Sequence, residues 1–175
     1  VIKESDFVII TVPTPITSSK KPNLDFVESA SETVGENLTK DTIVVMESTV
    51  YPGVTEELIL PILENKSDLK CGKDFSLGYS PERVTPGDEN HTIDKIVKVV
   101  SGWDEETKSI LEDLYSHITN VYLAENIRTA EASKVIENVQ RDLNIALMNE
   151  LSIIFDKMDL DTKAVLDAAG TKWNF

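Results

Sequence analysis

Two runs of consecutive apolar residues, DFVIITV at 6–12 and TIVVME at 42–47, constrain this chain more than any other feature. A strand with one wet face alternates apolar and polar side chains. A run that does not alternate reads as a strand covered on both faces, as in a parallel sheet flanked by helices. Two further apolar runs, at 75–79 and 96–100 (IVKVV), and a brief one at 121–123 extend the series. Helical patterns at 24–38, 54–64 and 104–118 fall between them, with Asn23 as cap of the first and a kink at Pro61 in the second. Strand–helix alternation of this kind predicts an α/β fold with a mostly parallel sheet.

From about residue 125 the pattern becomes helical to Met158, with a short helix at 162–169. A helix of roughly 34 residues would be about 50 Å long at 1.5 Å per residue. Val135, Val139, Leu143, Ala146, Leu147, Leu151 and Ile154 recur at threes and fours and form a stripe that needs covering. The sequence therefore divides at residues 1–123 and 124–175. A second copy of the chain is the expected cover, giving a homodimer.

Charge excludes one class of partner. Seventeen Lys and Arg against 31 Asp and Glu give a formal net charge of −14, and nucleic acid requires a basic footprint. An anionic ligand would need local cations, which draws attention to Arg83 and Lys134. No apolar run approaches the ~20 residues of a membrane span. One cysteine, Cys71, makes no internal disulfide, which fits a reducing cytoplasm. The first residue is Val1 and a strand follows almost at once, which suggests a piece of a longer protein.

In open parallel sheets, ligands bind beyond the carboxyl ends of the strands. Three such ends carry TVPTP, ESTVYPG and YSPERVTPG. Alone, TVPTP is equally a proline-stiffened turn, and Ser48–Thr49 equally a helix cap. Glu82 directly follows a buried strand, where a carboxylate is costly unless used; the bland alternative is a surface pair with Arg83. Lys134 and Asn138 lie four apart in a helix, so an amine and an amide could grip one developing oxyanion. The alternative there is a solvated lysine paired to Glu131 or Asn138. Cys71 reads as a lone loop thiol, and His91 and His117 have no metal-type partner at useful spacing. Trp103, Trp173 and Tyr115 read as packing residues.

Taken in order, VIITVPTP, ESTVYPG, YSPERVTPGD, AE-x-x-K-x-x-x-N and TKWNF resemble the UDP-glucose/GDP-mannose dehydrogenase family, from Asp6 to Phe175. That family oxidises the C6 alcohol of a nucleotide sugar to a carboxylate with two NAD per turnover. The resemblance implies the second half of a Rossmann-like sheet, a long central helix and the start of a helical dimerisation domain. It implies NAD contacts from Val12, Pro13, Thr14, Ser48 and Thr49, with Thr49 helping to hold a catalytic water. It casts Glu82 as acid/base, and Lys134 and Asn138 as stabilisers of the C6 oxyanions. Glu82, Arg83, Val84, Lys134 and Asn138 would touch the UDP-sugar.

The PERVTPGD segment is most similar to the branch acting on UDP-N-acetylhexosamines (UDP-GlcNAc or UDP-ManNAc). The UDP-glucose branch carries a second acidic residue where this chain has Pro86, and UDP-glucose stays open as the alternative substrate. A helix-mediated dimerisation module without catalysis is the alternative of another class. A hydroxy-acid dehydrogenase also uses a helical Lys and Asn four apart, but STVYPG and SPER argue against it.

Two family parts have no counterpart. The seven glycines form no G-x-G, the turn that would cradle a dinucleotide pyrophosphate. The family's nucleophilic cysteine is expected beyond Phe175. The chain alone is therefore expected to be inactive.

Overall fold

The structure is a computed structural model that describes residues 1–85 and 87–175. Pro86, the position that bears on sugar choice, lies outside the described residues. The chain packs as two units, Val1–Val135 and Ile136–Phe175.

The first unit opens with a 3-10 turn, Ile2–Glu4, and builds a five-stranded sheet. Its elements are β1 (Phe7–Ile10), α1 (Asp25–Gly35), β2 (Ile43–Met46), α2 (Leu60–Ser67), β3 (Ser76–Tyr79), β4 (Lys98–Gly102), α3 (Glu105–Ser116) and β5 (Val121–Leu123). The strands lie in the order β1-β2-β3-β4-β5. β1, β2 and β3 are parallel, β4 runs antiparallel to β3, and β5 is parallel to β4. Parallel neighbours need a crossover, usually a helix. The described residues joining β3 to β4 form no helix, and the chain reverses between the two strands. β4 also begins two residues later than the apolar run IVKVV predicts. Its pairing with β3 uses Ser101 and Gly102, polar and small residues that hydropathy does not flag.

Alternate residues of β2 point to opposite faces. Val44 and Met46 join Val27, Ile59, Leu63 and Leu77 in the larger cluster. Ile43 and Val45 join Val100, Leu111 and Tyr115 in the smaller one. Both faces of β2 are thus covered, as its unbroken apolar run requires. Gly78 is needed for the close approach of α3, since a Cβ there would lie 2.3 Å from Leu111 Cδ1 and 2.9 Å from the Ser101 carbonyl.

Asn23 Oδ1 accepts from the Asp25 amide at 2.8 Å at the start of α1. Asp104 caps α3 by accepting from the Thr107 amide at 2.8 Å. Before α2 the chain winds more widely as a π-type turn, Thr55–Ile59. Pro61, in the first turn of α2, brings no N–H and restricts the preceding turn. The helical type thus changes just upstream of Pro61, the position where a kink is expected from the sequence.

α4 (Ile127–Lys157) spans 31 residues, and the division between units falls inside it. The composition shift near Ala124 and this division differ for a physical reason. The first turns of α4 bury Ile127, Ala130 and Glu131 within the sheet unit. The second unit holds the rest of α4 and α5 (Thr162–Ala169), whose N-cap Asp161 accepts from the Lys163 amide at 2.9 Å. Apolar side chains remain exposed along it, among them Ile136, Leu143, Ile145 and Leu147.

Leu77 is fully buried in the larger cluster. Leu77→Ala should lower unfolding free energy by about 2–5 kcal/mol through lost contacts and a residual cavity. Urea denaturation of the protein containing this chain measures it; a loss within the scatter of surface substitutions, about 0.5 kcal/mol, would contradict the assigned core.

Candidate active site

Because β1, β2 and β3 run the same way, their carboxyl ends share one edge of the sheet. A cleft of about 250 Å³ opens there, lined by Thr11, Val12, Pro13, Thr14, Glu47, Ser48, Thr49 and Glu82. It gathers Val12, Pro13, Thr14, Ser48, Thr49 and Glu82, which stand far apart in sequence. Ser48 Oγ donates to the Val12 carbonyl at 2.6 Å and locks the first two strand ends together. The Glu82 amide donates to the Glu47 carbonyl at 3.3 Å and brings in the third.

Glu82 is exposed, and its carboxylate accepts from the Val84 amide at 2.5 Å. That bond orients the carboxylate of this exposed residue. Arg83 Nη1 donates to the Val97 carbonyl at 2.6 Å, fixing the start of the long loop against β4. Lys134 Nζ donates to the Glu82 carbonyl, so the amine and the acid belong to the same corner of the first unit. Asn138 falls in the second unit, where its amide oxygen accepts from Arg141 Nη2 at 2.5 Å.

Glu47 is a site residue that sequence reasoning passed over. Its carboxylate accepts from Tyr115 Oη at 2.6 Å and pairs with Lys98 Nζ at 3.0 Å. The Glu47 and Lys98 side chains are only 12% and 7% exposed. Lys98 also lies 4.9 Å from the centre of the Tyr115 ring. Burial first, and then the Glu47 carboxylate, push the Tyr115 phenol above its ordinary range, so it stays a donor. The signal was present: a carboxylate closing a buried strand is as costly at Glu47 as at Glu82, and a lysine inside IVKVV needs a partner. Tyr115 packs as expected, whereas Trp173 is exposed.

Glu131, the apparent surface partner for Lys134, is instead fully buried and bonded to the Gly53 and Thr55 amides. Periodicity did not betray it, because its partners are backbone groups.

A second cleft, about 290 Å³, lies at the opposite edge and is lined by Asp41, Asp74, Asp104 and Glu106 with Lys73. Its negative field disfavours a nucleotide diphosphate. Cys71 is on that side, bridging to Phe75 ahead of β3. His91 pairs with Asp88 at 2.8 Å and His117 Nδ1 meets the Asp113 carbonyl at 2.7 Å. Among the described residues no three His, Cys, Asp or Glu side chains are grouped to hold a metal.

Residues 1–119 match the UDP-glucose/GDP-mannose dehydrogenase family NAD binding domain, and residues 128–175 match the same family's central domain. The chain belongs to the UDP-glucose/GDP-mannose dehydrogenase family. It is 60% identical over 176 residues to protein CapL of Staphylococcus aureus, covering 99% of this chain and 42% of the relative. Identity to a UDP-N-acetyl-D-glucosamine 6-dehydrogenase of Salmonella typhi is 54%, over 99% of this chain and 41% of that protein. A solved UDP-D-ManNAc dehydrogenase from Pyrococcus horikoshii superposes with a TM-score of 0.93 at 33% identity, covering 99% of this chain and 41% of that one. The chain thus spans about two fifths of the length of the relatives it matches.

The cleft fits one end of a dinucleotide. Its volume falls short of the roughly 300–1,000 Å³ that encloses a whole small ligand. Hydroxyls of Thr11, Thr14, Ser48 and Thr49 and apolar Val12 and Pro13 suit a ring and its ribose. The turn that would hold the pyrophosphate has no G-x-G in this sequence.

Partial burial, aided by the nearby Glu64 and Asp104 carboxylates, pushes the half-buried Cys71 thiol up to about 12. At pH 8 roughly one molecule in 10⁴ would then carry the reactive thiolate. Cys71 is the sole cysteine, so labelling of the 175-residue chain with a thiol reagent reports it alone. Native protein should react at least about 100-fold more slowly than urea-unfolded protein, whose thiol titrates near 8.5; equal rates would contradict the burial.

Proposed function

We propose that this chain supplies the nicotinamide-side wall and part of the acid/base apparatus of an NAD-dependent UDP-N-acetylhexosamine 6-dehydrogenase. The observation that carries the reading is the cleft joining residues 11–14, Ser48–Thr49 and Glu82, with Lys134 bonded to Glu82's carbonyl. NAD, when bound, supplies the hydride acceptor for each of two oxidations at C6. Val12–Thr14 would line the nicotinamide ribose, and Ser48 and Thr49 would hold the cofactor and a water. Glu82 would take the proton of that water or of the C6 hydroxyl.

Lys134 would stabilise the alkoxide and tetrahedral oxyanions by a charge-assisted hydrogen bond. A swing of its flexible stem would carry the amine from the Glu82 carbonyl to substrate. Arg83 and Val84 would contact the sugar or diphosphate. Asn138 has its proposed part in oxyanion binding from the motif spacing alone. The division of roles at residues 1–123 and 124–175, cofactor half and helical dimerisation region, is part of the same proposal. The identity to relatives named for UDP-N-acetylhexosamines supports the sugar class, and the lone cysteine supports a cytoplasmic setting. No described helix is long and apolar enough to cross a membrane. The uronate product would suit polysaccharide assembly.

Lys134→Ala in the full-length enzyme should lower kcat by about 100- to 1,000-fold, the usual cost of one oxyanion donor. Wild-type turnover should be high with UDP-GlcNAc or UDP-ManNAc and low with UDP-glucose. Undiminished turnover of the variant would refute the catalytic role, and exclusive turnover of UDP-glucose would refute the sugar class.

A second reading concerns assembly, and it is favoured by the exposed Ile136, Leu143, Ile145, Leu147 and Ile153 of the second unit. These would bury against a second copy. Sedimentation of the full-length protein should give a dimer; monomer at micromolar concentration would contradict it.

A further inference from the structure

Glu131 is a carboxylate with no exposed surface, and its two oxygens accept hydrogen bonds from backbone amides. Its Oε2 accepts from the Gly53 amide at 2.5 Å and its Oε1 from the Thr55 amide at 3.0 Å. Those amides belong to the turn that ends STVYPG and opens the helical run into α2. Gly53 has φ of +102°, a conformation that L side chains rarely adopt, and its carbonyl accepts from the Glu57 amide at 2.7 Å. The free amides at a helix start attract negative charge, which offsets the cost of burying this carboxylate. Glu131 is therefore an N-terminal cap delivered from another helix.

The placement has a consequence for the site. Glu131 and Lys134 lie one turn apart in the part of α4 that packs in the first unit. Through Glu131 that turn is fixed to the segment following Ser48 and Thr49; through Lys134 it reaches Glu82. Glu131 is the buried tie between them. Arg128 makes a second link between the same elements, pairing with Glu56 at 2.9 Å and Glu57 at 2.8 Å, but it is exposed. Exposed pairs set position weakly, whereas a buried bidentate acceptor leaves little freedom.

We propose that Glu131 is a positioning residue that sets Lys134 against the Thr49–Glu82 cleft by capping the Gly53–Thr55 backbone. It touches neither cofactor nor substrate and acts through Lys134. The inference rests on the role of Lys134 given above. Glu131→Gln keeps the side chain's shape but turns one acceptor into an NH₂ facing a backbone N–H, and it removes the charge.

In the full-length enzyme, Glu131→Gln should lower kcat by about 10- to 100-fold, the cost of a displacement near 1 Å, with KM for the UDP-sugar changed less than about threefold. The deciding measurement is the cycle with Lys134→Ala. If Glu131 works through Lys134, the double variant should be no more than about twofold slower than Lys134→Ala alone. Arg128→Ala should retain wild-type kcat.

Multiplicative losses in the double variant would overturn this inference and leave the Lys134 role standing. A Glu131→Gln enzyme that is merely less heat-stable, with wild-type kcat, would overturn it too. Full activity of Lys134→Ala would end both readings. Should Glu131→Gln fail to fold, Glu131→Asp keeps the charge and retracts it by one methylene, and the same split between kcat and KM and the same cycle decide the question.

Discussion

Parallel pairing of β1, β2 and β3 is the constraint on which the candidate site depends. It brings three carboxyl ends to one edge, and each end is followed by a segment with hydroxyls, a carboxylate or both. Had any of the three run the other way, Val12–Thr14, Ser48–Thr49 and Glu82 would be divided between opposite edges. The pairing is in turn favoured by burial: β2 is covered on both faces, and a crossover to a parallel neighbour usually carries a helix that does the covering. A packing requirement thus chooses where the polar chemistry can sit.

The edge is then stiffened by hydrogen bonds made to the backbone. Ser48 holds the Val12 carbonyl, Arg83 the Val97 carbonyl, and Glu131 the Gly53 and Thr55 amides. Beneath them Glu47, Lys98 and Tyr115 form a buried polar knot. Such knots are costly when one member is missing and add little when complete. Their service here is to fix β2 to β4 at the mouth of the cleft, where a displaced strand end would move Ser48 and Thr49 with it.

Much of this was legible in the sequence. The unbroken runs DFVIITV and TIVVME announced strands buried on both faces, and β5 and α5 lie where their patterns put them. The candidate residues at the strand ends could be named because charged or hydroxyl side chains are unusual choices there. Pairing direction was not legible at β4, because hydropathy records burial and not orientation. Glu131 was hidden for a related reason: its partners are backbone amides, which leave no periodic trace near the residue itself. Glu47 was legible, as a carboxylate closing a buried strand, and was passed over. The family assignment fits the fold, and the chain spans about two fifths of the length of its relatives.

The central claim is that the cleft at residues 11–14, Ser48–Thr49 and Glu82 receives the nicotinamide end of the cofactor. Hydrogen exchange of the full-length protein with and without NADH tests it directly. Protection should rise in the peptides spanning residues 11–14 and 47–54, and stay unchanged around Asp74 and Asp104 at the opposite edge. Protection confined to the Asp74–Asp104 side, or none in residues 11–14 and 47–54 at saturating NADH, would contradict the account.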